Sequence, residues 1–140
     1  MKKICILFML VTLSFTAAVA QRNHKFDPAR FNFALQQYIT REAGLTPQQA
    51  EAFFPLYDEM NKKVRALFGE LHNLKRIKPT TEKECKENLK RRDEIELQMK
   101  ELQQLYHNKF MKVLPASKVY DVIKAEDSFH RQMFRNARRW

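Results

Sequence analysis

Phe53, Tyr57, Met60, Val64, Leu67, Leu71 and Leu74 follow one another at alternating spacings of four and three, and no other feature constrains the fold as much. A 3.5-residue repeat of this kind is the seam of a coiled coil, and one helix cannot bury it alone. The helix that carries it has a clear start in Leu45-Thr46-Pro47-Gln48-Gln49. Thr46 is an N-cap whose hydroxyl can accept from an unpaired first-turn amide. Gln49, three residues on, can reach back to the Thr46 amide and close a capping box. Pro47 falls at the first helical position, where its missing N–H costs nothing. Gly44 suits the left-handed position that ends a preceding helix. The pattern therefore predicts a helix over 47–77.

A second stripe of the same period is available to cover the first. Lys78-Pro79-Thr80-Thr81 interrupts the chain, and Thr81 with Glu84 forms another capping box, with Glu82 adding favourable charge in the first turn. Cys85, Leu89, Arg92, Ile95, Met99, Leu102, Tyr106, Phe110 and Val113 then predict a helix over 82–114. Glu82/Lys86, Glu87/Arg91 and Glu96/Lys100 fall at i,i+4 on its other faces. So short a break makes the two helices antiparallel neighbours. Pairing the stripes sets Leu74 against Cys85, Leu71 against Leu89, Leu67 against Arg92 and Val64 against Ile95. Met60 then meets Met99, Tyr57 meets Leu102, and Phe53 meets Tyr106. Arg92, a charge in an apolar row, is expected to reach solvent along its aliphatic stem. Pro55 removes the bond to the Glu51 carbonyl and predicts a kink, and Phe53 and Phe54 beside it then present aromatic surface on more than one side.

Two shorter helices flank this hairpin. Asp27-Pro28 opens one over 28–43, with Phe26 and Phe31 as a hydrophobic staple and Phe31, Leu35 and Tyr38 on one face. Pro115 opens the other, over 115–138, with Val119, Val122, Ile123, Phe129, Met133 and Phe134 on one arc. Lys124, Arg131, Arg135 and Arg138 line the opposite arc, Arg139 lies alongside, and Trp140 ends the chain on the apolar side. With only two glycines, Gly44 and Gly69, the chain has little to build β-turns or phosphate loops. The expected fold is all-α, a bent four-helix protomer built on a long antiparallel hairpin. Apolar surface left over by two short helices implies a homodimer.

Residues 1–20 stand apart. Lys2 and Lys3 precede an apolar run from Ile4 to Val19, and Ala18-Val19-Ala20 is a small-residue cleavage site. This reads as a secretory signal peptide that leaves a single domain over 21–140. Removing Lys2 and Lys3 from a formal net charge of +10 leaves +8. On an exported protein that balance points to anionic surfaces or acidic chains, not to nucleic acid. Of the two cysteines only Cys85 remains, so no internal disulfide staples the fold. Near the hairpin tip it is either a small buried group or, if exposed, a link between subunits.

No enzyme motif is present: no phosphate loop, nucleophile elbow or metal-hydrolase signature. No two of the four histidines fall at i,i+3 or i,i+4, and the pairing above puts His72 and His107 roughly 30 Å apart. Neither a metal nor a cofactor is expected. Met60 and Met99, though facing, read as core filler.

A basic, exported, helical chain with Leu45-Thr46-Pro47-Gln48-Gln49 resembles the Spy/CpxP family of bacterial periplasmic proteins, whose motif is L-T-x-x-Q. The family's second copy, before the last helix, is degenerate here as Leu114-Pro115-Ala116-Ser117-Lys118. The resemblance implies a periplasmic location, an antiparallel cradle-shaped dimer, and ATP-independent chaperoning of unfolded envelope proteins during envelope stress. In that reading Lys124, Arg131, Arg135, Arg138 and Arg139 attract clients, and Phe53 and Phe54 hold apolar segments. Rival readings are an adaptor docking on the sensor domain of a stress-signalling kinase, a periplasmic metal sensor, and peripheral contact with anionic lipid through the last helix.

Overall fold

The computed structural model describes residues 27–137. The expected signal peptide, Phe26, Arg138, Arg139 and Trp140 lie outside them. Four helices follow in order: α1 (Pro28–Glu42), α2 (Pro47–Arg76), α3 (Glu82–Phe110) and α4 (Ala116–Ala137). The fold is all-α, with α2 packed on α3 and α1 on α4.

Local chemistry sets the helix ends. The Asp27 carboxylate accepts from the amides of Ala29 and Arg30 at 3.0 and 3.3 Å. Both capping boxes form: Thr46 Oγ1 accepts from the Gln49 amide at 3.2 Å while Gln49 Oε1 accepts from the Thr46 amide at 3.0 Å, and Thr81 and Glu84 repeat the exchange. Glu84 also takes the Thr80 amide at 2.8 Å, and these donors, the Thr80 amide first, hold its carboxyl below the usual carboxylate range. Gly44 turns the chain between α1 and α2 at φ +59°, where a Cβ would be strained. Pro55 sits inside α2 without ending it. Its residue is exposed, as is Glu51, so the carbonyl it deprives of a partner lies on the wet side.

α3 stops at Phe110, four residues short of the expected end. The Met111 amide donates to the His107 carbonyl at 3.0 Å, and the Leu114 amide to the Phe110 carbonyl at 2.8 Å. The turn swings Leu114 inward, where it is buried.

The hairpin forms, one helical turn away from the expected register. Phe53 meets the Phe110 ring at 4.8 Å instead of Tyr106. At the other end the Leu74 carbonyl accepts from the Asn88 side chain at 3.1 Å, three residues past Cys85. Glu70 takes Arg91 between them at 2.6 Å, so Arg91 bridges the helices and not to Glu87 on its own. The physical reason is that a 3.5-residue stripe slid by one turn matches its partner equally well, leaving specific pairs to decide. Leu89, expected in the seam, is 56% exposed. Arg92 is half-buried, its Nε without a partner.

The four helices share one buried cluster, which sits at one end of the hairpin. It takes Leu35 and Ile39 from α1, Phe53, Tyr57 and Met60 from α2, Tyr106 and Phe110 from α3, and Val119, Val122, Ala125 and Phe129 from α4. α2 and α3, at 30 and 29 residues, run about 45 Å. α1, at 15 residues, runs about 22 Å and reaches half as far. In the far half only Leu71 and Ile95 are fully buried.

Candidate binding surface

The two motif segments meet at one corner. Leu45 and Leu114 both enter the buried cluster, each at the foot of the helix that follows it. Lys118 holds the corner together: its ammonium donates to the carbonyls of Ala43 and Gly44 at 2.6 and 3.2 Å. Those are the end carbonyls that α1 leaves unpaired, so a cation on α4 closes the C-terminus of α1. The departure from the motif glutamine thus acquires a structural role. Sequence spacing carried no sign of it, since the bond spans more than seventy residues. Pro47 and Gln48 are exposed on the outer side.

Of the residues expected to hold apolar segments, Phe53 must be reassigned. It is fully buried, with the Phe54, Tyr57 and Phe110 rings at 5.2, 5.4 and 4.8 Å, and has no surface to offer a client. Phe54 is half-buried against the same cluster. The apolar arc of α4 divides likewise. Phe129 is buried edge-on to Phe31 and Tyr38 at 5.5 and 5.4 Å, whereas Met133 is 44% and Phe134 70% exposed. Phe31 lies near the start of α1, so one turn beyond Phe129 the described part of α1 runs out.

The described members of the basic arc, Lys124, Arg131 and Arg135, lie at the surface. Lys124 lies over the Tyr120 ring at 5.5 Å, Arg131 donates to the Ser128 hydroxyl at 2.9 Å, and Arg135 is exposed. Large apolar side chains that no stripe contained stand among the surface charges: Phe33, Phe68, Leu97 and Tyr120 are each at least 60% exposed. The signal available for them was their position off every seam, a property that a search for stripes discards.

Two hollows mark the hairpin. An open groove of about 650 Å³ has Phe68, Leu71, Leu97 and Met99 as its apolar lining and Asp93, Glu96 and Lys100 at its edge. Beside it, where α4 crosses the hairpin, a hollow of about 370 Å³ brings together His107, Glu126, Asp127 and His130. The sequence comparison of His72 with His107 missed this meeting of His107 with His130 across two helices. Tyr57 donates to Glu126 Oε1 at 2.8 Å, and His130 Nε2 stands 3.8 Å from the same oxygen. Burial, then the Glu126 charge, pushes the Tyr57 phenol far above its ordinary value, so it remains a donor. Among the described residues no group of three or more His, Cys, Asp or Glu is placed to hold a metal ion. Cys85 is half-buried and free.

None of the described helices is long and apolar enough to cross a membrane. Compared with family models, curated proteins and solved structures, the chain matches none.

Proposed function

We propose that this chain is an exported, Spy/CpxP-like chaperone that works as a homodimer in the periplasm and holds unfolded envelope proteins without nucleotide. One observation carries the reading. Every helix exposes a large apolar side chain among surface charges: Phe33 on α1, Phe68 on α2, Leu97 on α3, and Tyr120 and Phe134 on α4, at 60–70% exposure. Apolar groups set singly among charges suit a surface that grips unfolded segments weakly and releases them. A continuous patch would aggregate instead. The net charge of +8 left once Lys2 and Lys3 depart with the signal peptide supplies the long-range part, drawing in anionic chains faster than diffusion alone.

The test is suppression of aggregation by the chain beginning at Gln21, with two unrelated unfolding clients and no nucleotide. Protection of both, weakening as salt is raised, is the expected result. Protection of neither, together with capture of one acidic receptor domain, would replace the chaperone with an adaptor.

A further inference from the structure

We propose that the end of α4 seats in the Phe68–Leu97 groove of a second copy of this chain, a contact that resting on the homodimer reading gives it an interface. α4 already packs on the α2–α3 hairpin: Tyr57 bonds Glu126, and Ile123, Glu126 and His130 face Met60, Val64 and Gln103 across one hollow. Both partners in that contact continue beyond it. The hairpin face runs on into the groove, which shares Lys100 and Gln103 with the hollow. The apolar arc of α4 runs on from Phe129 to Met133 and Phe134, one turn past its cover. Two surfaces of the kinds that pack within one protomer are thus left open side by side. A two-fold pair of chains closes both at once, each giving a helix end and receiving one.

Charge favours the same seat. The groove edge carries Asp93 and Glu96, the latter touched by Lys75 only at 3.9 Å. From Ser128 to Trp140 the chain has four arginines and no acid. The helix cannot fill its own groove as it stands: α4 is unbroken to Ala137, and residues 131–136 are all exposed. Phe134 stands at i,i+3 from Arg131, so a helix end seated by its ring brings Arg131 toward the groove's acids, while Met133 lies across the helix from Arg131 and Arg135. The apolar surface is thereby divided. Phe68, Leu97 and Phe134 serve the subunit contact, and Phe33, Leu89 and Tyr120 remain for clients.

Two single-cysteine proteins test the contact, Leu97→Cys and Phe134→Cys, each with Cys85→Ser in the chain beginning at Gln21, which lacks Cys5. Both sites are exposed, so neither change threatens the fold. Mixed under mild oxidation, they should give a linked species of twice the chain mass that neither gives alone. By sedimentation, Phe134→Asp should weaken the dimer by at least roughly tenfold in Kd with helicity unchanged. A dimer of unaltered Kd and no mixed link would overturn the proposed seat while leaving the homodimer in place. A monomer throughout the micromolar range would remove the homodimer itself. A link within single chains carrying both cysteines, and none between chains, would show the groove closed by its own helix. If Phe134→Asp abolished client protection at unchanged Kd, the exposed ring would belong to clients and the proposal would fall.

Discussion

Phe53→Ala separates a core ring from a client-binding ring. The side chain is fully buried, and the nearest aromatic centroid, that of Phe110, is 4.8 Å away at an interplanar angle of 65°. Deleting a buried phenyl ring costs about 3–5 kcal/mol, the transfer of the ring plus the cavity it leaves. Of that, about 0.5–1.5 kcal/mol belongs to the edge-on pair with Phe110. Against a domain stability of about 5–15 kcal/mol, such a loss should lower Tm by on the order of 15 °C. Urea and thermal unfolding followed by circular dichroism measure it. A double-mutant cycle with Phe110→Ala should show coupling of about 1 kcal/mol, because the second deletion removes a partner already gone. If the double variant does not fold, Phe53→Leu and Phe110→Leu supply the cycle. Client protection, assayed well below the lowered Tm, should be unchanged. The reasoning is refuted if Phe53→Ala leaves Tm within a degree or two and abolishes protection, since the ring would then face clients. Absence of coupling to Phe110 would return the hairpin to the other register.

Changing Arg131, Arg135, Arg138 and Arg139 to glutamine should leave helicity intact and slow client capture, most at low salt where screening is weakest; stopped-flow binding at two ionic strengths reads the difference. Glu59 is held down at about 2, first by its bond from the Lys63 ammonium and then by the Tyr106 hydroxyl, and Glu84 is held below its ordinary 4.5 by the Thr80 and Thr81 donors. Depressed carboxylates stabilise the fold above their unfolded pKa, and that contribution fades as pH falls from about 4.5 toward about 2. Protection of the Thr80 and Thr81 amides, taken as the exchange rate relative to the intrinsic rate at each pH, should fall over the acid range, and Glu84→Gln should flatten that dependence at the start of α3. Lys118→Met should cost about 1 kcal/mol in urea unfolding by leaving the carbonyl of buried Ala43 without its donor, while the exposed Gly44 carbonyl can turn to water. Gly44→Ala should cost about 1 kcal/mol or more, since φ is +59° and the added Cβ would stand 3.3 Å from the Lys118 ammonium.

Helix starts were legible because their chemistry is local. Asp27-Pro28, Thr46-Pro47-Gln48-Gln49 and Thr81 with Glu84 each bring donor and acceptor within three residues, and all three caps form as the sequence implies. Register was not legible, because a regular stripe looks the same after a slide of one turn. Phe53 with Phe110, Glu70 with Arg91 and Leu74 with Asn88 break that symmetry through contacts between distant residues. The end of α3 escaped for a related reason: the stripe continues through Val113, yet the chain must turn after Phe110 to bury Leu114. Periodicity assigns a residue to a face and says nothing about how far the neighbouring helix extends along it. Met133 therefore belongs to the correct arc of α4 and is still 44% exposed.

That last distinction links the fold to the proposed activity. A hairpin of two arms about 45 Å long cannot be covered by a helix of about 22 Å, however well each amphipathic face is written. The shared cluster closes near Met60 and Tyr106, and beyond it the arms rely on Leu71, Ile95 and the Glu70–Arg91 bridge. Phe68, Leu89 and Leu97 stand exposed along this half, with Phe68 and Leu97 lining one groove beside Asp93, Glu96 and Lys100. Extending α1 and α4 to match the hairpin would bury the groove and make a conventional four-helix bundle with nothing left to bind. Unequal helix length is thus the feature that leaves these apolar side chains exposed, and under the proposed function the excess of basic charge would attract acidic clients. Among the described residues, the end of α4 offers the uncovered apolar side chains and positive charge that the proposed seat in the groove requires. In the proposed homodimer, subunit contact and client contact would draw on the same surplus of surface, and the variants at Leu97 and Phe134 decide how that surplus would be shared.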